Sequence, residues 1–481
     1  MRILFVQDNG LNESLALTEA SALLGARGHG CRLTLTHEEP DLEDTLRRER
    51  PDVVVIPGSI LARGWALGTA RRIAALGGPP VVLCGTLPTF APEVTLDPAV
   101  WASVVGEADH ALLEVVEALG ASRDPAGLPN VRVARDGAVH GSGLRPMIAD
   151  LDALPLPDRA LYFRYPFLRE FPWKKFTAGR GCVHHCSYCY QPGLRRMYRG
   201  EANYVRLKSP ARVVQEVLDV RARAALGHVH FSDDLFTIDA DWVHAVSGRL
   251  GAEVGLPFTC NTSAELVTAE VARDLARGGC VAVAIGVESG DERLRCETIL
   301  HKNITDEMIR AAAAHIREAG LRLVTFNMIG APGETLAQSL ATLRFNRELG
   351  ADHVRINFAY PIPGTPMFER AVALGVLDPE LAAAMATETH TFEPGPILAH
   401  PHAKALRRLL RLYPLLLHMP AGDRMAPSLL RLPSGPLAPL LRLHGPLLEQ
   451  RIFRLPWWQG LRYYRHVGPP ERRTTNFTSL P

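Results

Sequence analysis

Eight cysteines are spread along the chain, and three of them stand together in Gly179-Arg-Gly-Cys182-Val-His-His-Cys186-Ser-Tyr-Cys189-Tyr190. Their spacing is C-x3-C-x2-C. A [4Fe–4S] cluster is ordinarily held by four thiolates. Three thiolates on one short loop leave one iron open to a further ligand. Gly179 and Gly181 let the loop bend closely, and Tyr188, just before the third cysteine, supplies an aromatic wall. The alternative is a structural zinc site that recruits His184 or His185. Such zinc sites pair two C-x2-4-C units, and here there is one.

Other residues with chemical capacity lie further along, each at the end of an apolar run. Asp233 and Asp234 follow the run that starts at His228, so their carboxylates can meet an ammonium or hydroxyl group, or one of them can cap the next helix. They are the catalytic candidates. Glu288 closes the run Val281–Val287, and a carboxylate there is costly to bury without partners. Asn261 and Ser263 end another run, Gly330 and Gly333 permit close backbone approach, and Glu334 reads as a helix cap. Pro361, Pro363 and Gly364 shape a turn.

These residues need a scaffold of strands. In residues 171–372, strand patterns at Phe176–Ala178, His228–Ser232, Phe258–Asn261, Val281–Val287, Leu323–Ile329 and His353–Phe358 alternate with helical stretches such as Pro210–Ala225, Thr268–Arg277, Asp306–Ala319 and Leu336–Leu349. Six such units predict a partial (β/α)6 barrel over 171–375, with its chemistry at the strand C-termini. Ahead of it, Ile3–Val6, Val53–Ile56, Val81–Leu83 and Ala102–Val105 alternate with helices, which predicts a Rossmann-like doubly wound α/β domain over 1–125. Residues 126–170, rich in Pro, Gly and Asp, read as a linker. Residues 376–481, rich in Leu, Pro and Arg, read as a small helical extension that closes over the barrel as a lid or lies on a membrane surface.

Composition restricts the function classes. The 481 residues are 47% hydrophobic and 22% charged, as in soluble globular proteins of two or three domains. A net charge of +2, from 53 basic and 51 acidic residues, gives no general attraction to nucleic acid. The start MRILFVQDNG has no signal-peptide core, and scattered cysteines suit a reducing, cytoplasmic setting, where a cysteine cluster is a metal site rather than a disulfide framework.

The cysteine motif resembles that of the radical S-adenosylmethionine (SAM) superfamily. The flanking segments Leu151-Asp-Ala-Leu-Pro-Leu-Pro-Asp158, Phe231-Ser-Asp-Asp-Leu-Phe236, Ile285-Gly-Val-Glu-Ser-Gly290, Met328-Ile-Gly-Ala-Pro-Gly-Glu334 and Tyr360-Pro-Ile-Pro-Gly-Thr365 resemble the branch with an N-terminal cobalamin-binding domain, over about residues 1–375. The resemblance implies that Cys182, Cys186 and Cys189 ligate a [4Fe–4S] cluster, and that SAM binds the open iron with contacts from Tyr188, Asn261, Ser263, Glu288, Gly330 and Gly333. It also implies a small-molecule substrate and an electron from a flavodoxin- or ferredoxin-like protein. Relatives that bind cobalamin usually have glycines where this chain has Cys84 and Ala108, and a histidine where it has Leu87. Added side chains at those positions would crowd a cofactor that lies on bare backbone. The expectation is therefore a cobalamin-free radical elimination or dehydration of a polar natural product, such as an aminoglycoside sugar. The alternative is cobalamin-dependent methylation of an unactivated carbon.

Overall fold

The computed structural model describes residues 1–8, 13–200, 203–387 and 396–431. The chain forms two compact units. Of the described residues, one comprises those in Met1–Arg169 and Gly193–Arg206 together with 380–387, the other those in Glu170–Pro192 and Leu207–Pro379 together with 396–431.

The first unit is built on a seven-stranded sheet of β1 (Arg2–Gln7), β2 (Gly30–Leu35), β3 (Val53–Pro57), β4 (Val81–Cys84), β5 (Ala102–Val104), β6 (Val131–Arg135) and β7 (Ala138–His140), in the order β2-β1-β3-β4-β5-β6-β7. The strands β1 to β5 pair in parallel. The centres of β1, β3 and β4 are continuous apolar runs buried on both sides, as helices on both faces of a parallel sheet require. The expected linker is structured: β6 pairs antiparallel with β5 and turns back into β7. Asp136-Gly137 makes that hairpin, both residues with positive φ (49° and 75°). Residues from the same stretch, Tyr162 and Tyr165, reach back to the sheet: Tyr162 Oη donates to Gln7 (2.6 Å) and Tyr165 Oη accepts from the Leu35 N–H (3.0 Å). The strand β2 has no counterpart in the sequence expectation, because its first half is polar and only Leu33, Thr34 and Leu35 are fully enclosed.

The second unit contains β8 (Trp173–Phe176), the two-residue strand β9 (Gly179–Arg180), and then, after the two-residue strand β10 (Arg206–Leu207), β11 (His228–Phe231), β12 (Phe258–Thr262), β13 (Cys280–Glu288), β14 (Arg322–Ile329) and β15 (His353–Phe358). Six strands form one parallel sheet in the order β15-β14-β13-β12-β11-β8. The first strand lies slightly earlier than its apolar pattern suggested, since the residues after Phe176 already belong to the cysteine loop. One face buries Phe231, Phe258, Cys260, Val283, Ile285 and Leu323 beneath the connecting helices. The other carries His230, Thr259, Ala284, Phe326 and Arg355. The sheet curls into a half-barrel: Arg355 on β15 and Lys175 on β8, at opposite edges, both bear electrostatically on His230.

In the second unit the main helices that follow strands start at side-chain caps. Ser209, Asp239, Thr268 and Thr305 accept from the N–H three residues on, and Thr335 with Gln338 forms a capping box for Leu336–Leu349. The helix Ala403–His418 packs beside Leu336–Leu349 and against β15. Asn346 donates to Tyr413 Oη (3.2 Å), and Arg347 donates to the carbonyls of Leu416 and Leu417 (both 2.6 Å). This part of the expected extension covers the flank of the barrel. Residues 432–481, with Trp457-Trp458 and Tyr463-Tyr464, lie outside the described residues. Among the described residues no helix is long and apolar enough to cross a membrane.

Candidate active site

The cysteine loop leaves β8 and is fastened along its whole length. Asp233, just past β11, accepts from the N–H groups of Ala178 (2.8 Å) and Gly179 (2.7 Å). In the middle, Ser187 donates its N–H to the Leu300 carbonyl (2.9 Å) and its hydroxyl to the Ile299 carbonyl (2.5 Å), while its own carbonyl accepts from Met367 (3.0 Å). At the far end Gln191 donates its amide to Asp234 (2.7 Å) and its N–H to the Cys189 sulfur (3.4 Å). Gly181 has φ +97°, which only glycine adopts cheaply. The two aspartates are thus the loop's anchors. The helix after β11 takes its cap from Asp239 instead.

Burial pushes the Cys182 thiol up to about 12 and raises Cys186 and Cys189 as well, with the neighbouring Asp234 charge adding to the rise at Cys182 and Cys189. Thiols held protonated in this way give up their protons to a bound metal rather than to water. The donor set fits a cluster better than a single ion. Among the described residues no three His, Cys, Asp or Glu side chains are gathered as one metal ion requires. A cubane engages each thiol at a separate iron. His184, the candidate zinc ligand, is paired through Nε2 with Glu265 (2.9 Å).

Around the loop the other candidates divide. Tyr188 is half-buried and packs with Met328 on the cluster of Leu294, Ile299, Leu300, Ala331, Ala359 and Met367. Asn261 is buried, and its Oδ1 has no hydrogen-bond partner among the described residues, an acceptor left for a ligand. Ser263 donates to Glu265 (2.6 Å) and so supports the His184 contact. Glu288 sits at a register shift between β13 and β14 with φ +64°, a conformation that costs a side-chain-bearing residue about 1–3 kcal/mol and is typical of functional positions. Its Oε1 accepts from Lys302 (2.9 Å). Lys302 escaped the sequence expectation, because a lysine in the lead-in to a helix ordinarily faces solvent. Gly330 and Gly333 have φ +75° and +85°, and a Cβ on either would meet apolar side chains at ordinary distances. Their requirement for glycine is conformational. Glu334 does not cap the next helix: it is buried, accepts from the Ala331 N–H and the Ser339 hydroxyl (both 2.9 Å), and burial raises its carboxyl to about 7.

Residues 176–345 match the radical SAM superfamily. The chain carries a radical SAM domain. It is 28% identical over 353 residues to an uncharacterised methyltransferase of Pyrococcus horikoshii, across 70% of this chain and 73% of that protein. Cytidylyl-2-hydroxyethylphosphonate methyltransferase of Streptomyces wedmorensis is 25% identical over 387 residues, across 71% and 70%. In fold the chain resembles the radical SAM methyltransferase TsrM of Kitasatospora setae, whose structure holds cobalamin and a [4Fe–4S] cluster, with a TM-score of 0.63 and 18% identity over 78% of this chain and 75% of that one. The radical SAM domain uses a [4Fe–4S] cluster and SAM.

The first unit bears on cobalamin. Cys84 is 4% exposed and Leu87 0%. Leu87 packs down onto Gly58, where a Cβ would lie 2.9 Å from it, and the Leu87 N–H donates to the Gly58 carbonyl (2.8 Å). The Cys84 and Leu87 side chains enter the core of the unit, so the crowding expected from these two is not found, whereas Ala108, the third such position, is only partly buried. At the end of β4, a Cβ on Gly85 would lie 2.9 Å from the Gly58 carbonyl, and the Ser59 and Thr86 hydroxyls accept from the N–H groups of Leu61 (3.3 Å) and Ile60 (3.1 Å). Gly106, past β5, is different: a Cβ there would lie 2.2 Å from the Tyr198 hydroxyl, which accepts from the Glu107 N–H (2.8 Å) and fills that end.

Proposed function

We propose that this enzyme is a cobalamin-dependent radical SAM methyltransferase acting on a carbon of a small polar molecule. The observation that carries the proposal is the burial of Cys84 and Leu87, which removes the obstacle to a cofactor at the ends of β3 and β4. The two curated relatives are methyltransferases, which favours this reaction over the elimination of water expected from the altered glycines. When bound, the cluster supplies the electron that cleaves a C–S bond of SAM, and cobalamin supplies the methyl group.

The chain's own residues do the holding and placing. Cys182, Cys186 and Cys189 ligate three irons, and Asp233 and Asp234 keep the loop in its bend. The Asn261 Oδ1 and the Glu288 carboxylate offer acceptors to the ammonium or ribose hydroxyls of SAM. On the half-barrel's face, His228 and His230 share the Thr259 hydroxyl (3.1 and 2.9 Å), His230 stacks on Trp173, and the Arg355 guanidinium lies over the Phe326 ring. That mixture of polar and aromatic groups suits a polar substrate. A flavodoxin- or ferredoxin-like protein is the electron donor in this scheme.

The test is anaerobic reconstitution with iron, sulfide and cobalamin, followed by mass spectrometry of products from candidate substrates. One 5′-deoxyadenosine and one S-adenosylhomocysteine should accompany each product gaining a methyl group. A product that has lost water, formed without cobalamin and without S-adenosylhomocysteine, would restore the elimination.

A further inference from the structure

Lys302 is 7% exposed, and its Nζ donates to Glu288 Oε1 at 2.9 Å. The pair lies across Gly286 of β13, where a methyl group would stand 2.2 Å from Nζ and 2.3 Å from Oε1. Glycine at this position gives the ion pair its place on the strand. The lysine's backbone is also fixed, its N–H donating to the Arg295 carbonyl (2.9 Å). Just before it come Ile299 and Leu300, whose carbonyls hold Ser187 between the second and third cysteines. One short segment therefore docks the cysteine loop and sets a cation behind it. Lys302 is near enough for its charge to be felt at both Cys182 and Cys186. Asp233, Asp234, Glu265 and Glu288 bring carboxylates to the loop, while Arg180 lies within it and Lys208 bears on Asp233.

Reduction adds an electron to a cluster already surrounded by three thiolates and these carboxylates. Cluster potentials follow net charge and local environment, and a fixed cation in a poorly solvated place acts strongly. We infer that Lys302 tunes the reduction potential of the cluster, raising it toward the reach of the electron donor, and that Glu288 moderates it. Lys302 acts here through charge, as a positioning residue beside the metal site. The inference rests on the cluster assignment and is independent of whether methyl transfer follows.

The experiment is a redox titration of the reconstituted full-length enzyme without SAM, followed by electron paramagnetic resonance of the reduced cluster and by iron content. Lys302→Met should lower the ratio of reduced to oxidised cluster at a fixed potential about tenfold, a one-electron midpoint shift of about 59 mV. Lys302→Arg should stay near wild type, and Glu288→Gln should shift the midpoint in the opposite direction. A merely structural lysine would not produce shifts of opposite sign. Lys302→Met with full iron and a wild-type midpoint overturns the inference. If that variant loses its iron, an unchanged midpoint in Glu288→Gln overturns it equally. A wild-type protein that takes up no iron would remove the cluster assignment, and the inference with it.

Discussion

Three thiolates can hold a cluster with an open iron only if their loop keeps its shape before the metal arrives. Asp233 does much of this, with both oxygens turned to backbone N–H groups. An unpaired buried N–H costs about 1–3 kcal/mol. Asp233→Ala should therefore lose most of the bound iron after reconstitution, while Asp233→Asn, which keeps an acceptor, should retain it, as iron assays and the optical spectrum will show. Glu334 carries a different prediction. Its folded-state value of about 7 stands above the usual 4.5, with burial as the cause. Between those values the native protein keeps a proton that the unfolded chain has released, so the slope of stability with pH is negative. This contribution is complete below about pH 4.5 and is lost as pH rises to about 7, at about 1.4 kcal/mol per pH unit. Glu334→Gln should flatten the dependence of the melting temperature on pH in that window. The C-x3-C-x2-C loop could be picked out by its spacing, whereas the partners of Asp233, Glu288 and Glu334 could not be read from the sequence. Asp233 and Glu288 are satisfied by backbone groups and a lysine from other loops, Glu334 by the nearby Ala331 N–H and Ser339 hydroxyl, and strand periodicity carries no record of such partners.

The helix Ala403–His418 changes what its end of the chain is for. Leu406, Leu409, Leu412, Tyr413 and Leu416 are buried, and Arg347 closes its C-terminal carbonyls. Removing a buried leucine side chain typically costs about 2–5 kcal/mol. Deletion from residue 403 should expose β15 and Leu336–Leu349 and yield aggregated protein with little iron, by size-exclusion chromatography and iron assay. Deletion from residue 432 should leave a folded, iron-loaded enzyme, and only this shorter deletion tests a lid, through the ratio of 5′-deoxyadenosine to product. That this part of the chain is helical was readable from its composition. Its place beside Leu336–Leu349 was not, because an apolar stripe states that a face is covered without naming the cover. The hairpin of β6 and β7 was hidden for a related reason: its strands are short and half-exposed, and the Asp136-Gly137 turn was their clearest mark.

At the scale of the molecule, the residues assigned to the cluster and SAM belong to the second unit, and the ends of β3 and β4 belong to the first. Omitting cobalamin during reconstitution should therefore leave reductive cleavage of SAM in place and abolish methylated product, with 5′-deoxyadenosine and product measured in the same reaction. By itself the sequence determined the radical SAM chemistry and the order of the barrel strands. Ligand spacing on a single loop is a local property, and a strand buried on both faces is spelled by its own apolar run. Only the tertiary structure decided where Cys84 and Leu87 point, which carboxylates anchor the loop, and that Lys302 stands behind it. A side chain's direction at a strand end, and the partner of a buried charge, are set by packing between segments far apart in the chain.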